Sequence, residues 1–144
     1  VEGDWQGPWF DNGPGGNDRL FGDEGDDVMR GGAGGDELHG GPGADRFLFW
    51  SVSDSGAGGV DRVLDFNGWV DRFDLSAIDA DVFAAGDQAF RFVGAFSGRA
   101  GEAVLSYDAG RNLSTLRLDV NGDGQADMTV DLVGAHSIEL GWVL

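Results

Sequence analysis

The 144-residue sequence predicts an all-β chain: short parallel strands wound from nine-residue repeats, followed by an antiparallel β-rich part. Three observations predict it. Four nonapeptides run in phase from residue 13 to residue 48. Later runs alternate apolar and polar residues between Gly, Asn and Asp turn signals. Finally, 27 glycines accompany an absence of cysteine, so turns are plentiful and disulfides are excluded.

The repeats come first. Gly13-Pro14-Gly15-Gly16-Asn17-Asp18-Arg19-Leu20-Phe21 aligns with the segments beginning at Gly22, Gly31 and Gly40. Positions 1 and 4 are always Gly, position 6 is always Asp, and position 8 is Leu20, Met29, Leu38 or Phe47. A flexible spacer has no reason to hold that phase. Glycines at positions 1 and 4 suit a tight turn, and positions 7 to 9 a short strand with its middle residue inward. Three residues cannot stand alone, so the copies must stack.

If two copies make one coil, residues 18 apart lie above one another. Asp18 then falls over Asp36 and Asp27 over Asp45. Two carboxylates about 4.8 Å apart repel by roughly 3 kcal/mol at an effective dielectric of 20, so the stack requires a cation. Calcium suits it, because it takes six to eight oxygen ligands and accepts the carbonyls that glycine turns expose. Zinc prefers nitrogen or sulfur.

The four copies resemble the nonapeptide repeat of the RTX family, Gly-Gly-x-Gly-x-Asp-x-apolar-x, whose fold is a calcium-binding parallel β-roll. The resemblance implies sites built from two stacked turns. The first would take Pro14, Gly16 and Asp18 with Gly31, Ala33 and Asp36. The second would take Asp23, Gly25 and Asp27 with Gly40, Pro42 and Asp45. Pro14 and Asp23 replace the usual position-2 glycine but still offer a carbonyl. A third site follows from arithmetic: Asp54 lies 18 residues after Asp36, so Gly32, Gly34 and Asp36 would form one half and Asp54 part of the other. Asp61, Asp65 and Asp71 each stay open as its completion.

From Phe47 onward the chain is richer in Phe, Val and Leu. The runs 60–66, 71–75, 103–107, 113–120 and 128–132 read as strands of an antiparallel meander, with a short helical turn expected at Ser76–Asp79. Gly43-Ala44-Asp45-Arg46-Phe47, Asp74-Leu75-Ser76-Ala77-Ile78-Asp79 and Asp119-Val120-Asn121-Gly122-Asp123-Gly124 resemble the C-terminal domain of serralysin-type secreted metalloproteases. That resemblance implies a bacterial, extracellular module exported by type I secretion machinery, with an uncleaved signal at the C-terminus and a covalently attached catalytic domain. The ending Glu139-Leu140-Gly141-Trp142-Val143-Leu144 departs from the family's acidic-then-apolar pattern. Similar repeats accompany alginate-modifying enzymes, so a polysaccharide-binding module is the alternative.

The expected organisation is an N-terminal cap at 1–12, the β-roll at 13–57 and a secretion-type β-rich region at 58–144. Trp5, Trp9 and Phe10 are read as covering the open end of the stack, with a sugar-stacking platform as the lesser reading. Asp119-x-Asn121-x-Asp123-Gly124 imitates an EF-hand loop, but position 12 is Val130, so a polar hairpin turn is expected.

Other classes fall away. A net charge of -17, from 26 acidic residues against nine arginines, argues against nucleic acid and anionic membrane. No apolar run approaches the roughly 18 residues of a membrane span. The opening Val1-Glu2-Gly3 shows neither initiator Met nor signal peptide, so either the chain is a fragment of something longer or its export address lies elsewhere. No His-Glu-x-x-His, Gly-x-Ser-x-Gly or P-loop occurs, and His39 and His136 are isolated, so a non-catalytic domain is expected.

Overall fold

The computed structural model describes residues 15–144 and the backbone of Trp9–Asp11. Each repeat yields one three-residue strand: β2 (Arg19–Phe21), β3 (Val28–Arg30), β4 (Glu37–His39) and β5 (Arg46–Leu48). Alternation turns the middle residue inward, and Leu20, Met29, Leu38 and Phe47 are all buried. Successive repeats go to opposite sheets, so strands 18 residues apart pair in parallel. Leu20 lies beside Leu38 and Met29 beside Phe47.

The roll begins one rung earlier than the repeats. β1 (Trp9–Asp11) pairs in parallel with β3 as the outermost strand of its sheet. Trp5 and Pro14 lie outside the described residues.

The stacking also continues past residue 57. After a 3-10 turn at Val52–Asp54, capped by Ser51, β6 (Asp61–Val63) pairs in parallel with β4 and β7 (Arg72–Asp74) with β5. These two runs are therefore rungs of the roll rather than meander strands. The reason is their buried partners: Val63 sits beside Leu38 and Phe73 beside Phe47, extending both apolar columns. The expected helical turn at Ser76–Asp79 is a plain turn closed by Ile78 N–H donating to the Leu75 carbonyl at 2.9 Å.

The antiparallel part is β9 (Glu102–Asp108), β10 (Leu113–Asp119) and β11 (Met128–Val133), flanked by the short β8 (Arg91–Phe92). β11 joins it to the roll by pairing in parallel with β6, placing Leu132 beside Val63. The last strand, β12 (Trp142–Val143), pairs in parallel with β7, with Trp142 beside Phe73. The orders are β1-β3-β5-β7-β12 in one sheet and β2-β4-β6-β11-β10-β9-β8 in the other. Their inner faces share one core. Among the described residues no helix is long and apolar enough to cross a membrane.

Candidate metal centres between the turns

The turns that join the strands stack as tightly as the strands do. A Cβ at Gly34 would fall on the Gly16 carbonyl oxygen, and one at Gly43 on that of Gly25. Both positions also have φ near +150° (144° and 151°), which an L side chain rarely adopts. The Asp23 carbonyl likewise presses against Gly41, and Asp23 itself holds φ 66°, so the substituted position 2 keeps the turn. The carbonyls of Gly16, Asp23 and Gly25 therefore face the next coil.

Aspartates at position 6 form two ladders. Asp36 Oδ1 accepts the amide of Asp18 at 2.8 Å, and Asp61 Oδ1 accepts that of Asp36 at 2.8 Å. On the other edge Asp45 Oδ1 accepts the Asp27 amide, and Asp71 Oδ1 the Asp45 amide, both at 3.0 Å. One oxygen each of Asp36, Asp45, Asp61 and Asp71 is thereby fixed. In contrast, Oδ2 of Asp27, Asp36, Asp45 and Asp61 is buried without a protein hydrogen-bond partner. An ionised oxygen so placed is costly unless a cation compensates it.

The electrostatics agree. Burial, together with neighbouring carboxylates, pushes Asp45 up to about 6 and Asp61 up to about 8. Asp27, Asp36 and Asp71 are raised as well, again chiefly by burial.

Among the described residues no three His, Asp or Glu side chains converge on one point, so carbonyls would have to supply most ligands. Ala33 and Pro42 each already accept one amide, from Gly16 at 3.1 Å and Gly25 at 3.0 Å. A carbonyl has two lone pairs, so one remains on each. Calcium fits a set of this kind, built of oxygen and rich in carbonyls.

Asp54 does not sit on a ladder. Its Oδ1 lies 3.1 Å from Arg30 and its Oδ2 accepts the Trp50 amide at 2.8 Å, yet its charge raises both Asp36 and Asp61. The rung above Asp36 is instead Asp61. Asp65 plays the neighbouring part on the other edge. It accepts the amides of Gly40 and Gly41 at 2.9 and 2.8 Å, and its charge raises Asp45 and Asp71.

Two features of the stack lie outside the sites expected from the repeats. Gly56-Ala57-Gly58-Gly59-Val60-Asp61-Arg62-Val63-Leu64 is a fifth copy of the repeat, starting at 56 where the phase requires 49. Its Gly59 has φ 147°, beside 138°, 137°, 144° and 151° at the position-4 glycines Gly16, Gly25, Gly34 and Gly43. Position 5 also carries a ladder: Asn17 Oδ1 accepts the Gly35 amide at 3.0 Å, and Asp26 Oδ1 the Ala44 amide at 2.8 Å.

The EF-hand-like segment closes on itself. Buried Asp119 accepts the amides of Asn121, Gly122 and Gly124, which makes it the anchor of the β10–β11 hairpin turn.

Known proteins are similar to this chain. The chain is 47% identical over 92 residues to Metalloprotease AprA of Pseudomonas entomophila, a match spanning 64% of this chain and 19% of that protein. It is 35% identical over 99 residues to Serralysin of Proteus mirabilis, spanning 68% and 20%. The chain thus spans about a fifth of the curated relatives it matches. Among solved structures, the AlgE6R3 subunit of the Azotobacter vinelandii mannuronan C5-epimerase superposes with a TM-score of 0.61 at 31% identity, covering 90% of this chain and 68% of that one. The AlgE6R2 subunit of the same enzyme gives 0.63 at 31%, covering 85% and 71%. The family model for the peptidase M10 serralysin C-terminal region matches residues 13–144, from the first repeat through the last strand, and the chain belongs to that family.

Proposed function

We propose that this chain is a non-catalytic calcium-binding module of a secreted bacterial enzyme, a serralysin-like protease in the first instance, and that it folds when calcium binds after type I export. The four buried, unpartnered aspartate oxygens carry the reading. Two sites would use the residues expected from the repeats: Pro14, Gly16, Asp18, Gly31, Ala33 and Asp36, then Asp23, Gly25, Asp27, Gly40, Pro42 and Asp45. A third would join Gly32, Gly34 and Asp36 to the 56–61 turn through Asp61, with Asp54 alongside. A fourth would join Gly41, Gly43 and Asp45 to Asp71, with Asp65 alongside.

Bound calcium supplies positive charge between stacked carboxylates, so metal binding becomes folding free energy. Each site held at 100 times its dissociation constant adds about 2.7 kcal/mol. The test is circular dichroism of the chain in chelator and through a calcium titration. A coil-to-β transition driven by calcium is expected; an equally folded chain in excess chelator overturns the reading.

A second reading, a polysaccharide-binding module, is favoured by the 31% identity to subunits of a mannuronan C5-epimerase. Titration with oligouronates in excess calcium tests it.

A further inference from the structure

The outer faces of the parallel stacks in the two sheets carry charge differently. In the sheet holding β2, β4, β6 and β11, one row reads Arg19, Glu37, Arg62, Asp131, and every neighbour in register has the opposite sign. Ion pairs follow at 2.7 Å for Arg19–Glu37 and 3.8 Å for Arg62–Asp131. The equivalent row of the other sheet reads Val28, Arg46, Arg72. Gly141, one residue before Trp142, comes next and brings no side chain.

Arg46 and Arg72 are therefore directly opposed, and both are exposed. Like charges facing one another destabilise a sheet, and in a chain of net charge -17 opposite partners were abundant. Among the described residues one carboxylate forms an ion pair with either arginine, while the buried Asp71 carboxylate, on the cation ladder, feels the Arg72 charge. Asp74 Oδ2 lies 3.3 Å from Arg46, while its Oδ1 accepts from the Ser76 amide and hydroxyl. Arg72 donates to the Asp71 carbonyl at 2.7 Å, which carries no charge. A local rule broken where compensation was available points to function.

The same face offers an aromatic surface. The Arg30 guanidinium stacks 4.3 Å from the centre of the Trp50 ring, and Trp50 remains 49% exposed. β5 and β7 are interior strands paired on both sides, so the face has no edge there for an extended peptide to join. A polymer with a carboxylate on each sugar and flat ring faces between them matches what is left. Guanidinium takes carboxylate through charge-assisted hydrogen bonds, and an indole takes a sugar ring by stacking.

We propose that the outer face of β3, β5 and β7 binds an acidic polysaccharide, Arg46 and Arg72 taking carboxylates and Trp50 stacking on a ring. This deepens the second reading above and rests on it. Asp45 and Asp71, one residue before each arginine, are buried and belong to the candidate cation sites. The calcium-loaded chain is thus the form to test.

The experiment titrates the full chain, in excess calcium at fixed free concentration, with short oligomannuronates and oligogalacturonates by calorimetry. Arg46→Gln and Arg72→Gln are each expected to weaken binding at least about tenfold, as loss of a charged hydrogen bond does. Arg62→Gln, on the other sheet, is expected to leave it unchanged. Calcium midpoints by circular dichroism establish that each variant folds. Chemical-shift mapping of the wild-type side-chain Nε–Hε signals reads the same contacts without mutation: Arg46 and Arg72 are expected to move and Arg62 to stay. Binding that ignores both substitutions and both signals overturns the site and leaves the second reading standing. No binding by the wild type overturns the two together. Equal affinity for polyglutamate overturns the sugar assignment in favour of an acidic peptide.

Discussion

At the scale of single residues, the ladders place Asp36, like Asp45 on the other edge, between two rungs. Its Oδ1 holds Asp18 from one side, its amide is held by Asp61 from the other, and its Oδ2 has no protein partner. It would therefore serve two calcium sites. Asp36→Asn keeps the shape and an acceptor for the Asp18 amide but removes the charge. In saturating calcium the variant should lose about 2.7 kcal/mol for each site it empties, read from urea unfolding at fixed free calcium. Asp123→Asn, in the exposed hairpin turn, should change little, and equal curves for the two variants would refute the shared-ligand role. Glu102 shows the opposite electrostatics. Buried, it accepts the Ser97 hydroxyl and amide and lies 3.1 Å from Arg91, and these contacts hold its carboxyl down to about 2. A folded-state value below the unfolded one, roughly 4.3, means a contribution fully present above that pH and lost as pH falls through about 2. Glu102→Gln should therefore be less stable than wild type at neutral pH, with the gap closing as the pH is lowered from about 4 towards 2. A gap independent of pH would assign Glu102 a packing role only.

At the scale of elements, a repeat is one turn plus one strand, and the turn imposes the stricter demand. Gly59 tests whether 56–64 is a true fifth unit. Its φ of 147° is strained for any other residue, and an added Cβ would come within 2.6 Å of the Gly35 nitrogen and 2.8 Å of the Gly34 carbonyl carbon. Gly59→Ala should raise the calcium concentration needed for folding and cost more than about 1 kcal/mol. Gly58→Ala, where an added Cβ meets open space, should not. Four repeats are legible in the sequence because Gly, Asp and one apolar residue recur at fixed phase, and each gives the expected strand. The fifth is concealed by the seven residues 49–55, which displace the phase without altering the unit. Spacing alone then leads to Asp54, whereas the rung is Asp61, because register follows the apolar column through Leu38 and Val63 rather than residue counting. The alternation in 113–120 and 128–132 identifies β10 and β11 correctly. It carries no information that β11 also pairs in parallel with β6, since that contact joins segments far apart in the chain.

At the scale of the whole molecule, the long-range contacts decide how the roll is completed. The repeats occupy the first part of the chain, yet the last rung of each parallel stack comes from its end: β11 on β6 and β12 on β7. Trp142 seals the second of these. Its ring lies 5.1 Å from Phe73, 5.7 Å from Phe66 and 5.3 Å from Phe92, and its Nε1 donates to the Ser137 carbonyl at 2.7 Å. Without β12, Phe73 N–H and Leu75 N–H lose their acceptors on Gly141 and Val143, and the core face of β7 opens to water. β7 immediately follows Asp71, so the last ladder should loosen with it. The proposed calcium-driven folding should then belong to the full chain rather than to the repeats alone. A chain ending at residue 140 should need more calcium to fold than the full chain, and one ending at residue 75 should remain largely unfolded at calcium concentrations that fold the whole. Because these pairings close long loops, the full chain should also fold slowly after calcium is mixed in, on the millisecond-to-second scale of non-local β topologies. Stopped-flow fluorescence of the tryptophans, with circular dichroism for the truncated chains, measures both. A 75-residue fragment with the calcium midpoint of the full chain would show that the repeats fold independently and that β11 and β12 only cover them.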